Sequence, residues 1–206
     1  MSMPQDAQTA EVVDLKVREI VARALDLELD QVSLSASLTD ELGAQSLDML
    51  DMAFMFEREF RISFPRTDIL ERATSYFGED ALVHKGVVTD FGRTLLAKGM
   101  PELEPARLTR GIRAAEVVKM VTVQTMTRLV HRLLQAKAEF SRQCPACGTV
   151  MAESDVMPEF ICASCGKVQP LPSGDEILLQ DLIALSGGLQ PVDPPRPGHD
   201  GTGSRT

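Results

Sequence analysis

Apolar side chains recur at the spacing of an amphipathic helix in several parts of the chain. Between Val12 and Leu25 they return every three or four residues, with charged side chains between them, and this period predicts a helix with one buried face. Further helices are predicted after Pro65 and over about 46–60, 90–98 and 175–186. Few segments alternate as strands do. The predicted fold class is therefore mainly α.

The segment from Arg107 to Arg142 predicts one long helix. Only Gly111 interrupts it, and its apolar residues supply stripes along its length. The β-branched residues around 117–123 weaken helix propensity. We nevertheless expect a continuous helix here, linking the N-terminal helices to the rest of the chain.

The helix predicted from Ser46 to Phe60 has an unusual outer face. On a helical wheel, the core side gathers Met49, Met52, Ala53, Phe56 and Phe60. The opposite side carries Leu47, Asp48, Leu50, Asp51, Phe54, Met55 and Arg58. Apolar side chains ringed by acids on an exposed face indicate a site for a partner protein. The alternative is a helix buried on both sides.

Charge and composition narrow the possible partners. The chain has 206 residues, a net charge of −9, 4% aromatic residues and no Trp. This composition disfavours nucleic acid as a partner and favours proteins with basic surfaces. The N-terminus lacks a signal-peptide pattern, and no apolar run approaches the ~20 residues of a membrane span. We expect a cytoplasmic protein without a membrane partner. His84, His131 and His199 have no nucleophile or acid paired with them in sequence, so no catalytic residue is predicted.

All four cysteines belong to two Cys-x-x-Cys-Gly knuckles. Cys144 and Cys147 form the first knuckle, and Cys162 and Cys165 form the second. This spacing is typical of a zinc ribbon in which four thiolates hold a structural Zn²⁺. Two disulfides or a redox pair are the alternatives, but a cytoplasmic chain disfavours disulfides and the duplicated knuckle favours metal.

The stretch LTDELGAQSLDMLDMAFMFEREFRISFP resembles the core of an acyl carrier protein or peptidyl carrier domain. Its Gly43, Ser46 and Leu47 match the family's pattern at the head of the second helix, and the resemblance covers roughly residues 8–80. It implies a four-helix carrier-protein bundle in which Ser46 carries covalent 4'-phosphopantetheine. It also implies that Leu47, Asp48, Leu50, Asp51 and Phe54 form the docking face for partner enzymes.

The resemblance further implies a non-catalytic carrier that holds an acyl or aminoacyl group as a thioester. Its partners would be a phosphopantetheinyl transferase and the enzymes that load and transfer the cargo. Gln45 precedes Ser46 where the family usually has Asp, so an unmodified carrier-like scaffold with a zinc ribbon is the alternative. Ser46 would then only cap its helix. A third reading is a nucleic-acid factor that uses the basic segment 107–142, which the net charge disfavours.

The expected organisation has four parts. Residues 8–100 would form the carrier-like helical domain, and 101–142 a helical linker. Residues 143–186 would form a small zinc ribbon followed by a short helix. The Pro- and Gly-rich residues 187–206 would form a disordered tail.

Overall fold

The computed structural model describes residues 10–66, 73–74, 76–78, 80–103 and 105–187. The short helix expected after Pro65 lies largely outside these residues, as does the expected tail beyond Gly187. Six α-helices and five short strands lie within them. The mainly α fold class is confirmed.

The helices run in chain order with short strands between them. They are α1 (Ala10–Ala24), α2 (Ser46–Phe60), α3 (Asp90–Gly99), α4 (Ala114–Val118), α5 (Val123–Glu139) and α6 (Gly174–Ser186). Strands β1 (Val83–His84) and β2 (Val87–Val88) pair as an antiparallel hairpin. A three-stranded antiparallel sheet contains β3 (Ala152–Glu153), β4 (Glu159–Ile161) and β5 (Val168–Pro170), in that order. Among the helices of the described residues, none is long and apolar enough to cross a bilayer.

A first hydrophobic core joins α1, α2 and α5. The core face predicted for α2 is correct, because Met52, Ala53, Phe56 and Phe60 are buried and Met49 is half-buried against them. Burying these apolar side chains is the main favourable contribution to folding here.

The long loop between α1 and α2 is fixed by apolar anchors and by one arginine. Val32 and Leu38 are fully buried in the first core. Arg18 on α1 donates from Nε to the Val32 carbonyl at 2.7 Å and from Nη2 to the Leu29 carbonyl at 2.9 Å. These bonds tie the irregular backbone of the loop to α1, and the Leu29 carbonyl also accepts from the Val32 amide at 3.3 Å.

The prediction of one long helix over 107–142 is wrong. The chain forms α4 and α5 instead, and the β-branched segment between them is not helical. The amides of Val123 and Gln124 donate to the carbonyls of Ala36 and Leu34 at 3.1 and 2.8 Å. Thr122 caps α5 by accepting from the Thr125 amide. Hydrogen bonds to the distant loop therefore replace those that a continuous helix would make.

The packing of α5 also corrects the role of helical linker that was expected for residues 101–142. Val123, Met126, Val130 and Leu133 on α5 are buried in the first core with α1 and α2. Lys137 near the end of α5 donates to the Phe60 carbonyl at 3.2 Å. Residues 123–139 thus belong to the bundle and do not serve as a separate linker, because their apolar stripe needs the faces of α1 and α2 to be buried.

A second core is built mainly from residues that lie between α2 and α5 in the sequence. It joins the β1–β2 hairpin, α3 and α4 through residues such as Leu82, Leu95 and Val117. The start of α3 approaches the hairpin so closely that a Cβ on Gly92 would collide with the Leu82 carbonyl. The hairpin was not predicted from the sequence, because two-residue strands carry almost no periodic signal.

The cysteine-bearing sheet forms a third core around Phe160. Phe160 is fully buried and stacks on Phe140 with 5.9 Å between ring centroids. After the sheet, α6 returns to the helices, where Ile177 enters the first core and Leu182 the second. Gly174 permits this return, since a Cβ there would lie 2.6 Å from Pro65.

Candidate functional site

Ser46 is the first residue of α2 and is exposed. The turn before it contains Gly43, whose φ of +73° lies in the left-handed region that favours glycine. The Ala44 amide donates to the Leu38 carbonyl at 2.8 Å, which ties the turn to the first core. Ser46 therefore lies at the surface on a fixed backbone.

The residue that caps α2 is Gln45, not Ser46. The Gln45 amide donates to Oδ2 of Asp48 at 2.8 Å, which is one half of a capping box. The helix therefore begins without using Ser46 as its cap. The amides of the first turn and the positive end of the helix dipole favour an anion attached at this position.

The outer face of α2 is exposed, as the wheel predicted. Leu47, Leu50 and Phe54 are 75%, 44% and 52% exposed. Asp51 is exposed and Asp48 is half-buried, so acids border the apolar surface. Met55 departs from the prediction, because it is half-buried against the first core. The alternative of a helix buried on both sides is excluded.

Arg66 partly fixes the far end of this face. Its guanidinium carbon lies 4.2 Å from the centre of the Phe54 ring, a cation–π arrangement. Arg66 also forms an ion pair with Glu57 one turn further along α2. The Phe54 ring is therefore supported at the surface by a neighbouring charged side chain.

The two cysteine knuckles come together at one end of the β3–β5 sheet. In the first knuckle the Gly148 amide donates to the Cys144 carbonyl at 2.8 Å, and in the second the Gly166 amide donates to the Cys162 carbonyl at 2.9 Å. Gly148 and Gly166 have φ values of +74° and +71°, which explains why each knuckle ends in glycine. The two knuckles thus have the same backbone geometry.

The four cysteine sulfurs fit a tetrahedral metal centre. Their ligand atoms all lie within 4.8 Å of one another, with 3.5 Å between Cys147 and Cys162 and 3.6 Å between Cys144 and Cys165. Zn–S bonds of about 2.3 Å in a tetrahedron place the sulfurs about 3.8 Å apart. All four cysteines are free thiols, so the cluster does not contain the disulfides of the alternative. The arrangement is compatible with a zinc ribbon.

The thiols of this cluster differ in acidity. Hydrogen bonding with the Thr149 side chain and backbone lowers the pKa of Cys147 to about 6. The Lys167 amide favours the Cys165 thiolate, but the three neighbouring thiols outweigh it and raise the pKa of Cys165 to about 12. A divalent cation removes this conflict, because coordinated thiols are deprotonated.

Half of the eight basic side chains of segment 107–142 form ion pairs within the protein. Arg128 pairs with Glu102, Arg132 with Asp181 and Lys137 with Glu153. This pairing reduces the positive surface on which binding of nucleic acid would depend.

Two histidines have carboxylate partners that the sequence did not reveal. His131 Nε2 lies 2.8 Å from Oδ1 of Asp14, which is 117 residues away, and His84 lies 3.2 Å from Asp80. Both pairs are partly exposed at the surface. We assign them no catalytic role. His199 lies outside the described residues.

Comparison with known proteins identifies the helical region. Residues 15–75 match the phosphopantetheine attachment site family. Over 48 residues the chain is 44% identical to the acyl carrier protein of Petrotoga mobilis (strain DSM 10674 / SJ95), which covers 23% of this chain and 56% of that relative. The chain thus spans about half the length of this curated relative. No solved structure matches the chain.

Residues 15–75 are a phosphopantetheine-attachment domain. This part of the chain is homologous to acyl carrier protein. Ser46 and the exposed face of α2 lie within it, whereas α3 to α6 and the four cysteines lie outside it.

Proposed function

We propose that the protein carries an acyl or aminoacyl group on 4'-phosphopantetheine attached to Ser46. The observation that carries the proposal is the position of Ser46, which is exposed at the first residue of α2 within the phosphopantetheine-attachment domain. Its hydroxyl is not needed to cap the helix, because Asp48 accepts from the Gln45 amide. The side chain is therefore available for modification.

The local structure suits the attachment chemistry. A transferase would form a phosphodiester between Ser46 Oγ and the phosphopantetheine of coenzyme A. The serine hydroxyl would lose its proton, the pyrophosphate bond of coenzyme A would break, and adenosine 3',5'-bisphosphate would leave. The first-turn amides and the helix dipole of α2 would stabilise the phosphodiester anion. The arm's terminal thiol would hold the cargo as a thioester, and this chain would present the cargo without performing chemistry itself.

The exposed face of α2 is the proposed docking surface. Leu47, Leu50 and Phe54 would contact the apolar part of a partner, and Asp48 and Asp51 would steer a basic surface towards it. The partners would be the transferase and the enzymes that load and remove the cargo. Charge steering combined with a small apolar surface allows rapid and reversible encounters.

The cysteine cluster is proposed to hold one structural Zn²⁺ through Cys144, Cys147, Cys162 and Cys165. Four thiolates leave no open coordination position, so the metal would stabilise the small sheet. The cytoplasm, which keeps thiols reduced, is the proposed compartment. We further propose that the metal-binding sheet and α6 form a unit appended to the carrier bundle, the sheet packing on Phe140 and α6 on the helices.

A second candidate function is an unmodified carrier-like scaffold. It is favoured by Gln45, which stands where carrier domains usually have the Asp that precedes the modified serine. Loss of that acid would weaken recognition by the transferase. The exposed face of α2 would then serve protein binding alone.

The test is the intact mass of the full chain before and after incubation with coenzyme A and a broad-specificity phosphopantetheinyl transferase. We expect a gain of one phosphopantetheine in the wild type and in Ser33→Ala, an exposed serine on the α1–α2 loop. Ser46→Ala should gain nothing. No gain in the wild type, under conditions that modify an ordinary carrier, would refute the carrier function and favour the scaffold.

A further inference from the structure

A large apolar cavity lies where α3, α4, α5 and α6 meet. Its volume is about 580 Å³, within the range of roughly 300–1,000 Å³ typical of small-molecule sites. Its lining includes Leu96, Val117, Leu129 and Leu182. Every lining residue falls outside residues 15–75, so the phosphopantetheine-attachment domain does not account for this cavity.

The charged groups around the cavity already have partners. Arg132 Nε and Nη2 donate to the Asp181 carboxylate at 2.8 and 2.7 Å. Arg128 donates to the Glu102 carboxylate at 3.0 and 3.2 Å. Lys98 Nζ donates to the Leu185 carbonyl at 3.1 Å. A carboxylate ligand would have to displace these bonds, whereas a neutral apolar chain leaves them intact.

The cavity wall is connected to the turn that carries Ser46. Val121 lines the cavity, and its carbonyl accepts from the Leu38 amide at 3.0 Å. The Leu38 carbonyl in turn accepts from Ala44, two residues before Ser46. These two hydrogen bonds and the two residues from Ala44 to Ser46 place the Cα atoms of Val121 and Ser46 at most roughly 19 Å apart.

A phosphopantetheine arm on Ser46 and the first atoms of its cargo would together span this distance. The arm contains about as many backbone bonds as five extended residues, or ~17 Å. Its cargo begins at the terminal thiol and extends further. An aliphatic chain attached there is therefore long enough to reach the cavity lining at Val121.

We propose that this cavity shelters the apolar acyl chain that the Ser46 arm carries. The proposal rests on the proposed carrier function and specifies its cargo as an aliphatic acyl group rather than an aminoacyl group. Burial of each methylene favours binding about fourfold. The acid on these walls, Asp181, is already paired with Arg132, so a charged amine would have to compete with the guanidinium for it. The elements outside residues 15–75 would thus form the binding site for the cargo.

The test is photo-crosslinking from the loaded chain. The full protein is loaded with a dodecanoyl arm that bears a diazirine at its last carbon, loading is verified by intact mass, and the irradiated protein is mapped by peptide mass spectrometry. We expect labels within 95–101, 117–129 and 178–185. Labels on other residues, or on a second copy of the chain, would overturn the proposal.

Matched variants separate binding in the cavity from nonspecific binding of the apolar chain elsewhere on the surface. Val118→Phe places a ring at an exposed cavity residue, and Val12→Phe places one on α1, away from the cavity; the two valines are 45% and 40% exposed. Val118→Phe should lower cavity labelling about tenfold if it displaces two methylenes, and Val12→Phe should not. Ala184→Phe, on α6, supplies a second blocked cavity. Unchanged labelling in both blocked variants would overturn the proposal.

The experiments distinguish failure of the proposed carrier function from failure of the cavity to bind an acyl chain. If intact mass shows no arm on Ser46, delivery from Ser46 is refuted along with the proposed function. The cavity is then tested with a soluble, neutral dodecanoyl-pantetheine amide that bears the same diazirine. Labelling that Val118→Phe abolishes would retain the cavity as an acyl-chain site, and absence of labelling would refute that as well.

Discussion

Arg132 on α5 and Asp181 on α6 form a two-pronged ion pair across 49 residues of chain. Hydrogen bonding to Asp181 raises the pKa of Arg132, so the guanidinium keeps its charge. The whole cysteine-bearing sheet lies between these two residues in sequence. Their contact helps determine where the chain returns to the helices after the sheet.

Asp181→Asn should lower the free energy of unfolding by about 1 kcal/mol, since the pair is bidentate but only partly buried. Urea unfolding followed by circular dichroism measures the change. Arg110→Ala is the control, because its ion pair with Asp90 is far more exposed and its loss should have little effect. An unchanged midpoint in Asp181→Asn would contradict a stabilising role for the pair.

The same substitution should change which ligands the cavity accepts. In Asp181→Asn the Arg132 guanidinium loses its carboxylate at the cavity wall, so free dodecanoate should bind about tenfold more tightly through a charge-assisted hydrogen bond. A neutral dodecanoyl amide should bind as before. Calorimetric titration of both ligands tests this. An equal gain in affinity for both ligands would contradict a role of the Arg132–Asp181 pair in disfavouring carboxylate ligands.

Phe54→Ala should impair partner docking without loss of stability. Phe54 is 52% exposed, whereas Phe56 is fully buried in the first core. Phe56→Ala should cost about 3–5 kcal/mol, while Phe54→Ala should leave the unfolding midpoint nearly unchanged. The rate of phosphopantetheine attachment should fall in Phe54→Ala. Normal modification kinetics in that variant would remove Phe54 from the docking surface.

Ser46→Ala should retain the helix content of the wild type because Gln45 and Asp48 form the start of α2. Asp48→Ala should instead destabilise the protein by about 1 kcal/mol through loss of the bond to the Gln45 amide. Thermal unfolding followed by circular dichroism compares the two variants. A large loss of stability in Ser46→Ala would mean that the hydroxyl has a structural role.

Replacing Cys144 and Cys147 together by Ser should abolish binding of one zinc ion per chain. The backbone amides of the sheet should then lose protection from hydrogen exchange, because metal binding and folding of such a site are coupled. Elemental analysis measures the metal, and hydrogen exchange compares residues 143–171 with α1 and α2. Ser141→Ala next to the first knuckle is the control. Undiminished zinc in the double variant would refute the four-cysteine site.

Local patterns were sufficient to predict the helices that carry clear periodicity. The start and end of α2 at Ser46 and Phe60 agree with the sequence prediction, and α3 and α6 agree within a residue or two. The division of α2 into a core face and an exposed face also follows from its period alone. The long helix over 107–142 failed because local propensity could not register the hydrogen bonds that residues 34–38 make to residues 121–124.

The sequence by itself predicted the chemistry proposed for the two candidate sites. Ser46 is recognisable from its local context, and the four cysteines from their spacing, because each signal lies within a few residues. The tertiary structure alone decided that α5 completes the first core, that α6 returns beside it, and that a cavity forms between helices far apart in sequence. Such features depend on the packing of distant surfaces, and no local period encodes which surfaces meet.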